Sequence, residues 1–110
     1  MRIRDITMDG FTVKIAPFSF DAAEEYLKTN RELKAKNPPP TEADWTERVL
    51  QTVCASLNKA AGNTNGNAPW DVKRVRAELD MVFVFYLHDE ILRMSGIKLA
   101  QPGEALATST

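Results

Sequence analysis

The chain of 110 residues carries 14 Lys and Arg against 15 Asp and Glu, and a net charge of −1 excludes the basic excess of a dedicated nucleic-acid-binding domain. Its hydrophobic fraction of 44% and charged fraction of 26% are ordinary for one soluble domain, which we place at residues 1–100. A single cysteine excludes an internal disulfide, the N-terminus is too polar for a signal peptide, and no run approaches the roughly 18 apolar residues of a membrane helix.

Residues 2–16 are predicted to form a β-hairpin. Asp9-Gly10 suits a two-residue type I′ turn, which needs a positive φ at both positions. Folding about this turn gives five cross-strand pairs: Met8 with Phe11, Thr7 with Thr12, Ile6 with Val13, Asp5 with Lys14, and Arg4 with Ile15. All the apolar side chains then share one face. Because two strands alone are barely stable in water, that face must pack on helices or extend a partner's sheet.

Two helices are predicted next. Ser19 is a natural N-cap for a helix over about residues 20–36, with a narrow apolar stripe, and Asn37-Pro38-Pro39-Pro40 stops it. Thr41 and Asp44 resemble a capping box that opens a second helix to about Ala61. The apolar residues of this second helix lie on one stripe: Trp45, Val49, Leu50, Val53, Cys54 and Leu57.

The longest apolar block lies between Trp70 and Gly96. Its spacing of three and four predicts a helix, although Val, Phe and Tyr also favour a buried β-strand, and length decides for the helix. The sequence leaves open whether one helix covers 71–95 or two helices break near Asp80. Seven consecutive apolar residues from Met81 to Leu87 indicate a helix covered on nearly all sides, which means either the centre of a bundle or a surface given to another subunit. Pro69 suits the first turn and Ser95-Gly96 the end of this segment.

Two stretches lack apolar periodicity. Residues 62–67, GNTNGN, are rich in turn-forming residues and are predicted to form a mobile loop. Residues 101–110, QPGEALATST, are predicted to be a disordered tail. The predicted fold is therefore mainly α with an N-terminal β-hairpin (α+β), containing three to four helices.

The residue types that carry chemistry do not form a catalytic constellation. His88, Asp89 and Glu90 are consecutive, so on a helix their side chains point about 100° apart and do not converge on one ion. We interpret them as a polar, hydrogen-bonded turn. Cys54 is interpreted as a small buried hydrophobic residue. The sequence predicts no catalytic site, no metal and no cofactor.

A basic cluster and an aromatic run remain as candidate binding features. Lys73, Arg74 and Arg76 could contact phosphates, but Glu78 and Asp80 follow them, and a solvated helix face is the favoured interpretation. The run from Val82 to Leu87 is either ordinary core or an interface, because a helix this apolar cannot bury every side in so small a domain. Phe85 and Tyr86 suit interface anchors.

The order of these features resembles the tail assembly chaperones of long-tailed bacteriophages. The resemblance covers residues 3–99. It consists of a hairpin with an aspartate-glycine turn (ITMDGFTVKIAPFSFDAAEEYL), a middle helix ending in small residues (VLQTVCASLNKAA), and a closing segment that ends in Ser-Gly and an apolar residue (VRAELDMVFVFYLHDEILRMSGIKL).

The resemblance implies a role without catalysis in the host cell cytoplasm. Chaperones of this kind bind the tape measure protein, keep it soluble and help the tail tube subunits polymerise around it. A ribosomal frameshift often adds a longer product, and the chain after Leu99 would suit its attachment. We expect a homo-oligomer that takes no nucleic acid, membrane or small-molecule substrate.

The hypothesis for the mechanism is capture of partner helices by the apolar block. The candidate partner-binding residues are Val82, Phe83, Phe85, Tyr86, Ile91 and Met94. Two other classes stay open: a small nucleic-acid-binding regulator that uses the basic cluster, and a structural head–tail component of the virion.

Overall fold

The structure, a computed structural model, describes residues 2–62 and 70–97. An antiparallel hairpin precedes four helices, which confirms the predicted fold class. The elements are β1 (Arg4–Met8), β2 (Phe11–Ile15), α1 (Phe20–Lys34), α2 (Glu42–Ala60), α3 (Val72–Glu78) and α4 (Met81–Met94). The loop predicted at 62–67, apart from Gly62, the Pro69 position and the tail predicted at 101–110 lie outside the described residues.

The hairpin has the predicted register in all five cross-strand pairs. Asp9 and Gly10 take φ values of 52° and 81°, as the turn requires. The apolar face of the hairpin packs against the main core, except at its tip. Ile6, Val13 and Ile15 are buried, whereas Phe11, beside the turn, keeps 42% of its surface exposed.

Both predicted helix starts are confirmed. The Ser19 side chain accepts a hydrogen bond from the Ala22 backbone N–H at 3.2 Å. Thr41 and Asp44 form the reciprocal capping box, at 2.8 and 3.2 Å. The first helix ends at Lys34, earlier than predicted, and Tyr26 is its one buried residue.

The apolar block forms two helices, which resolves the alternative that the sequence left open. Leu79 ends α3 in an extended conformation, with φ −112° and ψ 140°, and its side chain is buried. Asp80 then caps α4, since its carboxylate accepts a hydrogen bond from the Phe83 backbone N–H at 2.8 Å. The extended residue lets the chain change direction while Leu79 still packs into the core.

Two apolar clusters hold the fold together. The main core joins the hairpin, α2, α3 and α4, and its buried members are Ile6, Val13, Ile15, Leu50, Val53, Leu57, Val75, Leu79, Phe83, Val84, Leu87 and Ile91. A smaller cluster lies beneath α1 and consists of Tyr26, Leu92 and Ile97, with Phe18 and Ala23 packed against them. Phe18 also packs against the main core, so it links the two clusters.

Candidate interaction surface on helix α4

Helix α4 has one buried face and one exposed face. The buried residues are Phe83, Val84, Leu87, Glu90, Ile91 and Leu92. The exposed face is apolar over the first two turns, where Met81 is 70% exposed, Val82 71%, Phe85 40% and Tyr86 42%. The single chain therefore covers this helix on one side only, and coverage of its other side would need another subunit. Neighbouring exposed apolar side chains of this number are typical of an interaction site.

The structure divides the predicted partner-binding residues. Val82, Phe85 and Tyr86 are exposed, as a contact surface requires. Phe83 and Ile91 belong to the core at 3% and 0% exposure, so including them in a surface was wrong for this fold. Met94 is partly buried against the main core.

Phe83 is buried in the main core, and the hairpin contributes one of the contacts that cover it. The Phe11 ring meets the Phe83 ring edge to face, with their centroids 6.3 Å apart. Helical periodicity did not distinguish Phe83 from Phe85 as surface candidates, since both lie in one apolar run. The packing of α4 against α2 and the hairpin decides which of the two is covered.

Met81 is a surface residue that the sequence analysis did not select. It lies four residues before Phe85, and residues at this spacing share one side of a helix. The spacing from Phe85 was the signal that could have identified it. We define the α4 apolar face as Met81, Val82, Phe85 and Tyr86.

A groove of about 140 Å³ runs beside the α4 apolar face, between α2 and the α3–α4 pair. Met81, Val84 and Phe85 line it from α4, and Val49 and Leu50 line it from α2. A polar rim lies on the same side of the molecule, where Arg76 and Glu47 form an ion pair at 3.4 Å. The arrangement offers apolar side chains to a partner and has charged groups at its margin, as protein interfaces do.

The second half of α4 carries charges on its exposed side. Asp89 and Arg93 are exposed there, whereas Glu90 is buried and receives ion pairs from Arg93 and from Arg4, the latter at 2.5 Å. The Arg4 contact attaches β1 to α4. His88, Asp89 and Glu90 thus have three different surroundings, consistent with the prediction that they do not converge on one ion.

Helix α1 meets the rest of the molecule at a polar contact around Tyr26. The Tyr26 hydroxyl lies 3.1 Å from His88 Nε2. The Arg48 guanidinium lies 4.5 Å from the centre of the Tyr26 ring, donates to the Tyr26 carbonyl at 3.0 Å, and donates to Asn30 Oδ1 at 2.9 Å. We call Tyr26, Asn30, Arg48 and His88 the latch. Sequence periodicity could not reveal it, because its members come from three helices.

The latch holds a titratable group in a partly buried position. Burial lowers the pKa of His88 from its ordinary value of 6.5. A hydrogen bond to Asp89 and the charge of that carboxylate act in the opposite direction, and the positive charge of Arg48 lowers the pKa further. The imidazole is therefore neutral at neutral pH.

Cys54 is half-buried and takes part in the attachment of Trp70. Its thiol donates to the Trp70 carbonyl at 3.2 Å. The Asn58 side chain binds the same residue twice, donating to the Trp70 carbonyl at 2.9 Å and accepting from the Trp70 N–H at 3.1 Å. Burial, followed by the charge of Asp71, raises the pKa of the Cys54 thiol, so it is a poor nucleophile.

The basic cluster on α3 is largely paired with carboxylates. Arg74 binds Glu78 at 2.9 Å and also covers the Trp70 ring at 3.8 Å, and Arg76 binds Glu47. These contacts pair two of the three cations of the cluster with carboxylates. They favour the interpretation of this cluster as a solvated helix face.

Metal sites and membrane-spanning helices were also sought in the part of the chain that the structure describes. Residues 2–62 and 70–97 contain no group of three His, Cys, Asp or Glu side chains placed to hold a metal ion. Among the described helices, none is long and apolar enough to cross a membrane. Comparison with protein-family models, curated proteins and solved structures finds no match for this chain.

Proposed function

We propose that this protein is a non-catalytic tail assembly chaperone that binds a tape measure protein, keeps it soluble and promotes assembly of the tail tube. The observation that carries the proposal is the α4 apolar face with the groove beside it. The resemblance of residues 3–99 to phage tail assembly chaperones supplies the identity of the partner.

The chemistry of the face suits a long helical partner. Met81 is flexible and polarisable and adapts to different apolar side chains, whereas Phe85 and Tyr86 are rigid and lose little conformational entropy on binding. A helix laid along the groove would place its own apolar row against these residues. Many copies of the chaperone on one long partner would then bind through avidity, although each contact is weak.

The experiment is co-expression of the chain with the tape measure protein of the same phage. The soluble fraction of the tape measure protein is measured with the wild-type chain, with Phe85→Ser and with Tyr86→Ser. Each substitution removes an exposed aromatic residue, so we expect the chaperone to stay folded while the soluble fraction falls several-fold.

The chain offers a matched control on another helix. Phe20 lies on α1 and is 79% exposed, so Phe20→Ser makes the same chemical change away from the α4 apolar face. We expect this variant to retain the wild-type effect. Equal solubility with all four proteins would refute the assignment of the α4 apolar face.

Light scattering after size-exclusion chromatography tests self-association. The expected result is a set of concentration-dependent multimers, shifted toward the monomer by Tyr86→Ser. A 12.3 kDa monomer at every concentration would contradict the multivalent arrangement. Recovery of the chain in purified virions would instead favour a structural component, and DNA affinity that falls steeply with salt would favour the nucleic-acid-binding alternative.

A further inference from the structure

Helix α1 is attached to the molecule at few points. Of its fifteen residues, all within the described part of the chain, Tyr26 alone is buried. The other apolar positions of its stripe stay in contact with solvent, with Phe20 79% exposed and Leu27 41% exposed. The latch and the small cluster beneath Tyr26 hold the helix in place.

The two ends of α1 differ in how they are fixed. Before the helix, the hydroxyl of Ser56 bonds both the N–H and the carbonyl of Ala16, at 2.9 and 2.7 Å. Lys59 binds the Pro17 carbonyl at 2.7 Å, and the Phe18 N–H donates to Ser95 Oγ at 2.9 Å.

The connector after the helix lies on the surface. Residues 35–39 are all exposed, and three of the residues between Lys36 and Thr41 are prolines, which lack a backbone donor. The chain is therefore held by buried and half-buried hydrogen bonds up to Phe18, whereas no residue between 35 and 39 is buried. Rotation about the φ and ψ bonds of Ser19 would move α1 without disturbing the main core.

The residues beneath α1 continue a row of the α4 apolar face. Met81, Phe85, His88 and Leu92 follow one another at spacings of four, three and four, so they lie along one side of α4. The first two are exposed, whereas Tyr26 covers the last two. Movement of α1 would lengthen the exposed row from about one turn to about three turns.

We propose that α1 is a hinged lid over the second half of this row, and that an apolar helix of the tape measure protein takes the place of Tyr26 when the lid opens. The identity of the partner rests on the proposed function, whereas the lid itself does not. We call the site on Leu92 and Ile97 that Tyr26 occupies the seat of α1. Its occupation by Tyr26 shows that a helix with one aromatic residue fits this part of α4. The partner's helix would extend from the open groove into the site that Tyr26 leaves, because Met81 and Phe85 of the groove lie on the same side of α4 as His88 and Leu92.

Hydrogen exchange measured by mass spectrometry on the full chain tests the lid without any partner. Amides of α1 are expected to exchange at least tenfold faster than those at the centre of α2, because they open locally. Arg48→Met keeps the stem of the side chain but removes the latch hydrogen bonds. It is expected to speed α1 exchange about tenfold while leaving the centre of α2 unchanged.

Arg31→Met is the matched control, since it makes the same change at an exposed position of α1. It is expected to leave the exchange of α1 near the wild-type rate. If α1 and α2 exchange at one common rate in the wild type and in Arg48→Met, α1 opens only by global unfolding and the lid is refuted.

A reversible tether gives a second test. Ala23 packs against the cluster that contains Ile97, so Ala23→Cys with Ile97→Cys, in a Cys54→Ser background, can fasten the lid through a disulfide. The oxidised form is expected to bind less 8-anilinonaphthalene-1-sulfonate (ANS), a dye for exposed apolar surface, and reduction is expected to restore the signal. Equal dye binding by the oxidised and reduced forms would refute an opening lid.

The same tethered protein separates the lid from the proposed function. If the oxidised form keeps less tape measure protein soluble than the reduced form, both proposals stand. If the two forms are equally active while Phe85→Ser is inactive, the chaperone function holds and the partner does not use the seat of α1. If neither form nor the wild type affects the tape measure protein, the proposed function fails, and exchange and dye binding still decide the lid.

Discussion

The main core and the small cluster beneath α1 represent two ways of attaching a helix. Helices α2 and α4 are attached by apolar side chains buried to near-zero exposure, such as Val53, Leu87 and Ile91. Helix α1 is attached by one buried residue, Tyr26, which has an apolar ring and a polar hydroxyl, and by hydrogen bonds from Arg48. The first kind of contact excludes water over a large area, whereas the second depends on a few directional bonds that water can replace.

This difference has a consequence for motion. Apolar burial contributes free energy in proportion to area, so an element with many buried side chains opens only when the whole domain unfolds. A net hydrogen bond contributes about 0.5–1.5 kcal/mol because water competes for the same groups. We therefore expect α1 to open at a free energy well below that of global unfolding.

The largest expected effect is the loss of an apolar side chain from the main core. Leu87 has 0% exposure, and Leu87→Ala should lower the free energy of unfolding by about 2–5 kcal/mol, through lost transfer energy and the cavity left behind. Urea denaturation followed by circular dichroism measures the change. Tyr86→Ala, the adjacent and exposed position, should cost less than about 1 kcal/mol. Equal losses at both positions would contradict the assignment of the two faces of α4.

The second effect tests the polar attachment of the hairpin to α4. Glu90 is 7% exposed and binds Arg4 and Arg93, so Glu90→Gln should cost about 1–3 kcal/mol in the free energy of unfolding. Asp5→Asn breaks the exposed ion pair with Lys14, and exposed pairs contribute about 0–1 kcal/mol. Urea denaturation of both variants makes the comparison. A cost at Asp5 that equals the cost at Glu90 would mean that burial does not strengthen the Glu90 contacts.

The third effect uses two helix caps that belong to the two regions. Asp80 caps α4 in the main core, and Asp80→Ala should lower the global free energy of unfolding by about 1 kcal/mol. Ser19 caps α1, and Ser19→Ala should leave global stability nearly unchanged while speeding hydrogen exchange within α1. A global loss of the same size from Ser19→Ala would show that α1 unfolds together with the core.

Local signals in the sequence were sufficient for the elements and their caps. The Asp9-Gly10 turn determined all five hairpin pairs, and the Thr41–Asp44 spacing located the start of α2. The sequence did not decide whether the helix breaks at Leu79–Asp80. Leu79 is extended but still buried, so the apolar spacing continues across the break and hides it.

The candidate surface was only partly predictable for a related reason. Periodicity identified an apolar run but could not tell which side of it the rest of the core covers, so Phe83 was grouped with Phe85. The latch brings together Tyr26, Arg48 and His88 from distant parts of the chain, and no local pattern encodes such a meeting. Tertiary packing alone decides the burial of Phe83 and the meeting of the latch residues.

The smallest expected effect is the pH dependence of the latch. Because the folded state holds the pKa of His88 below 6.5, the unfolded state binds a proton more readily. The stabilisation from the neutral imidazole is therefore fully present above about pH 6.5, and it is lost as the pH falls through the lower folded-state value. Three groups face this imidazole: Asp89 from its own helix, Arg48 from α2 and Tyr26 from α1.

His88 is the only histidine, so its ring proton resonance reports the titration directly. We expect a pKa below 6.5 in the wild type and a shift back toward 6.5 in Tyr26→Ala, because loss of the ring admits water to the imidazole. Urea denaturation at pH 7.5 and pH 5.5 should show a smaller loss of stability on acidification in His88→Gln than in the wild type. A wild-type pKa above 6.5 would mean that Asp89 outweighs burial, and acidification would then strengthen the attachment of α1 rather than weaken it.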